Sequence, residues 1–409
     1  MGYGGPRENA KDMNMEISSE SQLANTNIYA DYNGSAPPCR EVRQYLINRL
    51  TKGEFANPNA IHFLGQKTLA GMERARKICA KVLGATSKQV IFNSGSTEGI
   101  SNIFYSALLD AKEHGKDTII ISGIEHSAIF NNLKYYEERG FVGKILPTTP
   151  NGVTSVETLK SWLLEFGERV ALVSVMAANN ETGVIQPFKE IGSLCQGYKI
   201  PYFCDTTQYI GKAPFNFNEL PMDFAVLSGH KIGAITGTGI ILAKDPSHLK
   251  PLIIGGGQER GIRGGTQNYL GYETLAVALD CLSFDFSSLN EKRGKFEKKI
   301  KECFPEVVIL GEDAPRLPNT TYISLPGIHG QAVQIELESQ NIFVSTSSAC
   351  SDNNPNTSRI LKSMGVNEAV GRGVVRISLG LCSSPEDYDK IFEGLKNAYT
   401  KLIRVKQFV

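Results

Sequence analysis

Three stretches of the chain carry residue types that could do chemistry together. Lys231 stands at the tip of Asp223-Phe224-Ala225-Val226-Leu227-Ser228-Gly229-His230-Lys231, where an apolar run of strand type breaks at Ser-Gly. An earlier run, Tyr198-Lys199-Ile200-Pro201-Tyr202-Phe203-Cys204, ends on Asp205. A third, Val90-Ile91-Phe92-Asn93, opens into Ser94-Gly95-Ser96-Thr97-Glu98-Gly99. An amine, an acid and a phosphate-sized cup at the ends of strands are what pyridoxal phosphate needs. The amine forms the Schiff base, the acid holds the pyridinium nitrogen protonated, and the cup takes the phosphate.

Each residue also has a plainer reading. A lone lysine is ordinarily a solvated surface charge. Asp205 precedes Thr206-Thr207-Gln208 and could be a helix N-cap. Ser94-Gly95-Ser96-Thr97-Glu98 resembles a capping box, although the same helix N-terminus also receives a phosphate dianion. His126, just past a strand end, is either a polar packing residue or a ring that stacks on a planar cofactor and shuttles protons near neutral pH. His230 either serves the phosphate or packs beside Lys231. Cys350 lies in Ser345-Thr346-Ser347-Ser348-Ala349-Cys350-Ser351-Asp352-Asn353-Asn354-Pro355, a small, polar loop pattern unlike the burial that free cysteines favour. It is an incidental thiol or an accessible nucleophile on a flexible arm. Arg376 interrupts the apolar run Val374-Val375-Arg376-Ile377-Ser378-Leu379, either to pair with a structural acid or to offer its fork to a substrate carboxylate.

Alternating strand and helix patterns must position these groups. Strands are expected at Val90–Phe92, Thr118–Ser122, Val170–Met176, Pro201–Cys204, Phe224–Leu227 and Gly239–Leu242. Helices are expected at Thr97–Leu109, Ser127–Arg139, Val156–Phe166 and Pro187–Gln196. Such alternation predicts an α/β fold, a mostly parallel sheet flanked by helices, with ligands at the carboxyl ends of the strands. A glycine-rich loop, Gly255–Thr266, precedes a helix from Asn268 to about Leu282. Beyond Ser287 the pattern changes to a smaller α+β unit. The expected division is a disordered extension over 1–27, an N-terminal segment over 28–39 joining the small domain, a large domain over 40–285 and a small domain over 286–409.

The 409 residues, 41% hydrophobic and 21% charged, suit a globular protein with more than one core. A formal net charge of +1 offers no basic field for direct nucleic-acid binding. No apolar run approaches the roughly 20 residues of a membrane helix. The cysteines at 39, 79, 195, 204, 281, 303, 350 and 382 form no C-x-x-C pair, which reads as reduced thiols in a cytoplasmic protein without a zinc site.

Taken together, the motifs resemble cysteine desulfurases of the NifS/IscS type, among the class V, fold-type I pyridoxal-phosphate enzymes. The resemblance runs from about Ile28 to Tyr399. It implies a seven-stranded, mostly parallel sheet in the large domain. Ser228-Gly229-His230-Lys231 matches the family's Schiff-base motif, and Asn179-Asn180-Glu181-Thr182-Gly183 its Asn-Asn-Glu-x-Gly signature. Asp205 and Gln208 match its Asp-x-x-Gln. The resemblance implies that Asp205 meets the pyridinium, that Asn180 meets the phenolic oxygen and that His126 stacks on the ring. Ser96, Thr97, Ser228 and His230 are implied at the phosphate. Thr266 is implied to reach the phosphate of a neighbouring subunit, which makes a homodimer with shared sites. Ser347-Ser348-Ala349-Cys350 matches the persulfide-bearing cysteine, and Arg376 the substrate-carboxylate arginine. The family's Asp-x-x-Ala-Thr-Thr-Pro start reads here Asp31-Tyr32-Asn33-Gly34-Ser35-Ala36-Pro37, without its threonines. Its Gly-Pro-Lys-Gly becomes Ala234-Ile235-Thr236-Gly237, and Gly264 replaces a usual serine.

The implied reaction takes sulfur from L-cysteine, releases L-alanine and leaves a persulfide on Cys350 for a sulfur-acceptor protein, in iron–sulfur cluster assembly or thiolation. Lys231, Cys350 and His126 are its catalytic residues. A selenocysteine lyase or cysteine C–S lyase on the same fold, or a catalytically weak scaffold-like relative, are the alternatives.

Overall fold

The computed structural model describes residues 27–282, 286–346, 357–380, 383–384 and 386–406. The N-terminal extension and Cys350 lie outside the described residues. Among those described, twelve strands form three sheets. The strands are β1 (Ile28–Tyr29), β2 (Val90–Asn93), β3 (Thr118–Ser122), β4 (Val142–Leu146), β5 (Val170–Ser174), β6 (Tyr202–Asp205), β7 (Phe224–Ser228), β8 (Gly239–Ala243), β9 (Val308–Ile309), β10 (Thr320–Ser324), β11 (Ile342–Phe343) and β12 (Val374–Ser378).

The large sheet has the order β2-β8-β7-β6-β5-β3-β4. Only β8 runs antiparallel to its neighbours β2 and β7. Its central strands are mostly apolar and buried throughout, as Thr118-Ile119-Ile120-Ile121-Ser122 and Phe224-Ala225-Val226-Leu227-Ser228 show. A strand buried on both faces needs apolar side chains at successive positions, not at every second one. The two-residue period then decides which core each side chain joins. Val90 and Phe92 enter one core, with Leu227 and Leu242 and the helices Phe63–Val82 and Tyr269–Asp280. Ile91, Val226 and Ile241 enter the other, with the helix Ser96–Glu113.

The edge strand β4 was not expected. Its Val142-Gly143-Lys144-Ile145-Leu146 is mostly exposed or half-buried, and a lysine on an edge strand discourages pairing with another chain.

The second sheet, β12-β10-β9, is antiparallel and shares a core with the helices Ser287–Cys303, Gly330–Glu338 and Asp387–Lys406. The N-terminal strand β1 pairs in parallel with β11, and Asp31 bridges to Ser378. A further apolar cluster joins the two sheets. In it Ile124 and Met176, just past β3 and β5, pack with Tyr322, Leu361 and Val374. No helix among the described residues is long and apolar enough to cross a membrane.

Candidate active site

The carboxyl ends of β2, β3, β5, β6 and β7 surround a cavity of about 460 Å³. Lys231, Asp205, His126, Asn180, Ser96 and Arg376 all line it. Thr97, Gln208, Ser228 and His230 do so as well. Thr266 is exposed and outside this lining.

β7 ends at Ser228, and one 3-10 turn, Gly229–Lys231, swings the lysine over the cavity. Lys231 Nζ donates to the carbonyls of Asn33 and Gly34 at 2.7 and 2.6 Å. The N-terminal segment is therefore one wall of the site. His230 Nδ1 lies 3.1 Å from Ser35 Oγ, and the His230 carbonyl accepts from Ala36 N at 2.7 Å. Burial, with Lys231 beside it, pushes the His230 pKa down to about 4, so its ring is neutral at physiological pH.

Asp205 is the last residue of β6 and is buried. It caps no regular helix. Its Oδ1 accepts from Thr207 N at 2.9 Å in a tight turn, which sets the carboxylate's direction. Thr207 Oγ1 in turn lies 2.6 Å from Ser96 Oγ, linking the acid's turn to the cup.

The cup is the start of the helix Ser96–Glu113. Its N-cap is Gly95, which provides no side-chain cap. Glu98 reaches back instead, accepting from Ser94 N at 3.0 Å. Gly95 has φ 151°, and a Cβ there would sit 3.2 Å from Ser228 Oγ. Glycine lets the helix start approach Ser228 without strain. An N-terminus with no side-chain cap and flanking hydroxyls suits a phosphate.

His126 caps the helix Ser127–Glu137 by accepting from Ala128 N at 3.1 Å through Nδ1. With Nδ1 acting as acceptor, the neutral ring carries its proton on Nε2. Burial lowers its pKa and favours that neutral form. Beneath it, Glu125 is fully buried. Its Oε1 accepts from Met176 N at 2.8 Å and from Ser122 Oγ at 2.5 Å, while Oε2 has no partner among the described residues. Burial pushes the Glu125 carboxyl up to about 8.

Asn180 follows β5 and has a buried Oδ1 without a partner among the described residues, the orphan expected of a group that waits for a ligand. Its backbone carbonyl accepts from Arg376 Nη1 at 2.9 Å. Arg376 Nη2 donates to Asp31 Oδ1 at 2.7 Å, and its Nε is buried without a partner among the described residues. Arg376 and Ser345 exchange backbone hydrogen bonds at 2.7 and 3.2 Å. Ser358 Oγ donates to Glu181 Oε2 at 2.8 Å. The chain on either side of 347–356 is thus anchored beside the cavity.

These residues fit pyridoxal phosphate: an amine, a buried carboxylate, a helix-start cup, an orphan amide oxygen and a neutral histidine share one cavity. The altered segments also face it. Asn33 and Gly34 line it, as do Thr236 and Gly237. Sequence reasoning gave no role to Asn33, which falls on an unspecified position of the Asp-x-x-Ala-Thr-Thr-Pro pattern, and none to Glu125 or Lys212. Lys212, four residues after Gln208, sits in a turn where no periodicity marks it.

Residues 28–391 match the class-V aminotransferase family model. A cysteine desulfurase IscS from Clostridium botulinum is 33% identical over 377 residues, covering 91% of this chain and 94% of the relative. A solved NifS-like protein superposes with a TM-score of 0.84 at 32% identity, covering 92% of this chain and all of the other. SspA solved in complex with cysteine gives a TM-score of 0.76 at 29% identity over 87% of this chain. The fold, the matched span and these relatives agree: the chain belongs to the class-V aminotransferase family, among its IscS- and NifS-like members.

Proposed function

We propose that the protein is a pyridoxal-phosphate-dependent cysteine desulfurase that transfers sulfur from L-cysteine to its own Cys350. The observation that carries this reading is the convergence of Lys231, Asp205, His126, Asn180 and Arg376 on one cavity beside the two anchors of the Cys350 segment. When bound, the cofactor supplies an electron sink for the bonds at the substrate's α-carbon.

The protein's residues do the rest. Lys231 would hold the cofactor through its amine, and its Nζ, beside the Asn33 and Gly34 carbonyls, would move the substrate's α-proton. Asp205 would keep the cofactor's ring nitrogen protonated, and Asn180 would meet its phenolic oxygen. Ser96, Thr97, Ser228, His230 and Gln208 complete the cofactor's seat, with Thr266 reaching the seat in the second subunit of a homodimer. Arg376 holds the substrate carboxylate, with Asp31 aligning its fork. His126 stacks on the ring and passes protons through Nε2. The Cys350 thiolate attacks the substrate sulfur: a sulfur–sulfur bond forms, the carbon–sulfur bond breaks with its electron pair left on the β-carbon, and that carbon takes a proton to become the methyl group of L-alanine. The persulfide then passes to a sulfur-acceptor protein in iron–sulfur cluster assembly or thiolation. In this reading residues 286–409 form a small domain that carries the cysteine loop, and the enzyme works in the cytoplasm.

Two measurements test the proposal. L-Alanine release from L-cysteine should stop in Cys350→Ala, and sulfur-labelled cysteine should leave its label on Cys350. Unchanged alanine turnover in that variant with a reductant present would refute the persulfide role. Pyruvate and ammonia as products would point to elimination instead.

A further inference from the structure

One buried amine takes no part in the proposed chemistry. Lys212 is 7% exposed. Its Nζ donates to Asn33 Oδ1 at 2.8 Å and to Gln208 Oε1, two neutral amide oxygens. Burial, followed by the cations Lys231 and Arg376, drives its pKa well below the usual lysine range. A lysine among neutral amides and cations is a costly way to fill space that a methionine would fill.

What Lys212 holds is Asn33. Asn33 is 1% exposed, and both ends of its side-chain amide are used twice. Its Oδ1 accepts from Lys212 and from Asn319 Nδ2 at 3.1 Å. Its Nδ2 donates to Thr320 Oγ1 at 2.9 Å and to the Asn180 carbonyl at 3.3 Å. Protonated or neutral, the lysine can supply both donated bonds, so it sets which end of each amide faces it.

Asn33 then touches both ends of the substrate pocket. Its backbone carbonyl accepts from Lys231 Nζ at 2.7 Å and from Gln208 Nε2 at 3.0 Å. The Asn180 carbonyl to which its side chain donates also accepts from Arg376 Nη1 at 2.9 Å. A single amide thus links a carbonyl beside the cofactor's lysine to a carbonyl beside the carboxylate's arginine.

We propose that Lys212 is a positioning residue that, by orienting Asn33, holds Lys231 and Arg376 at the separation a bound amino acid requires. The inference deepens the desulfurase reading and rests on its roles for Lys231 and Arg376. It names no proton transfer to or from Lys212. A bound amino acid has its carboxylate on Arg376 and its α-carbon facing Lys231, so misplacing Arg376 relative to the lysine weakens binding of the whole molecule.

The test uses the holoenzyme. Lys212→Met keeps the volume and removes both donated bonds. KM for L-cysteine should rise at least fivefold, more than kcat falls. The visible absorption of the lysine-bound cofactor should also titrate at a shifted pH. Asn33→Asp, which keeps a partner for Lys212 but cannot donate to the Asn180 carbonyl, should raise KM in the same way, and it decides the matter if Lys212→Met fails to fold. A KM within twofold of the wild type together with an unshifted titration overturns the proposal, even if the melting temperature falls, since Lys212 is then only structural. Wild-type protein that binds the cofactor but never releases alanine would refute the desulfurase reading instead; the absorption titration of the variants would still decide the positioning role.

Discussion

The two rims of the large sheet carry cavities of similar size and opposite character. At the carboxyl rim, about 460 Å³ is lined by Asp205, Ser96, Gln208 and Ser228, all at most 8% exposed. At the amino rim, about 520 Å³ lies between Ala171, Pro201 and Phe224, with Lys116, Lys199 and Lys250 around it. The charged groups there mostly remain in water, the side chains of His114 and His248 being 64% and 69% exposed; Asp223 differs, a part-buried carboxyl whose pKa burial raises and whose Oδ2 accepts from Tyr202 N at 2.8 Å. Cavity volume therefore does not distinguish a reaction centre. What does is polar and ionisable groups kept out of water at a cost, because only such groups have shifted pKa values and fixed directions. Parallel strands explain why one rim has them. Their carboxyl ends release loops in which the next helix can start toward the ligand, whereas the amino rim receives helix ends.

The largest contrast should come from exchanging lysines. Lys231→Ala should reduce alanine release by about 10²–10⁴-fold or more, the range of a lost acid–base group. Lys250→Ala, at the amino rim, should leave kcat/KM within about twofold, as most surface changes do. A comparable loss in both would erase the distinction between the rims.

A smaller effect is expected at the carboxylate end. Arg376→Lys keeps the charge but loses the planar fork that Asp31 aligns. Hydrogen bonds to charged groups are worth about 1.5–3 kcal/mol, so KM for L-cysteine should rise roughly 10–100-fold. An unchanged KM would remove Arg376 from the substrate site.

The smallest effect concerns stability. The Glu125 carboxyl is raised from 4.5 to about 8 by burial. A carboxyl whose folded pKa lies above its unfolded value contributes stability that is complete below about 4.5 and is lost as pH rises through about 8. Melting temperature should therefore fall between pH 5 and 9 in the wild type, and less steeply in Glu125→Gln. Parallel curves for the two proteins would show that Glu125 titrates normally.

The chemistry was unusually legible because it is local. Lys231, Asp205 and the Ser94–Glu98 cup each end an apolar run, and an apolar run that stops at Ser-Gly or at an acid shows where a strand meets its loop. The same runs predicted a mostly parallel sheet, and the matching solved folds bear that out. Less visible were elements whose stability comes from elsewhere. β4 is half-solvated and contains a glycine, so its pattern does not announce a strand; pairing with β3 makes it one. The parallel pairing of β1 with β11 joins segments far apart in the chain and leaves no local trace. Asn33 and Lys212 leave the least trace, since a buried polar side chain looks the same in sequence as an exposed one.

By itself, then, the sequence determined the strands, the turns at their ends and the types of group placed there, because backbone geometry and side-chain burial imprint a period on neighbouring residues. Only the tertiary structure decided that Asn33, Asn180, Lys212, Lys231 and Arg376 share one hydrogen-bonded frame. A hydrogen bond is set by distance and angle between atoms, and segments separated by 179 or 198 positions carry no mark of it until the chain is folded.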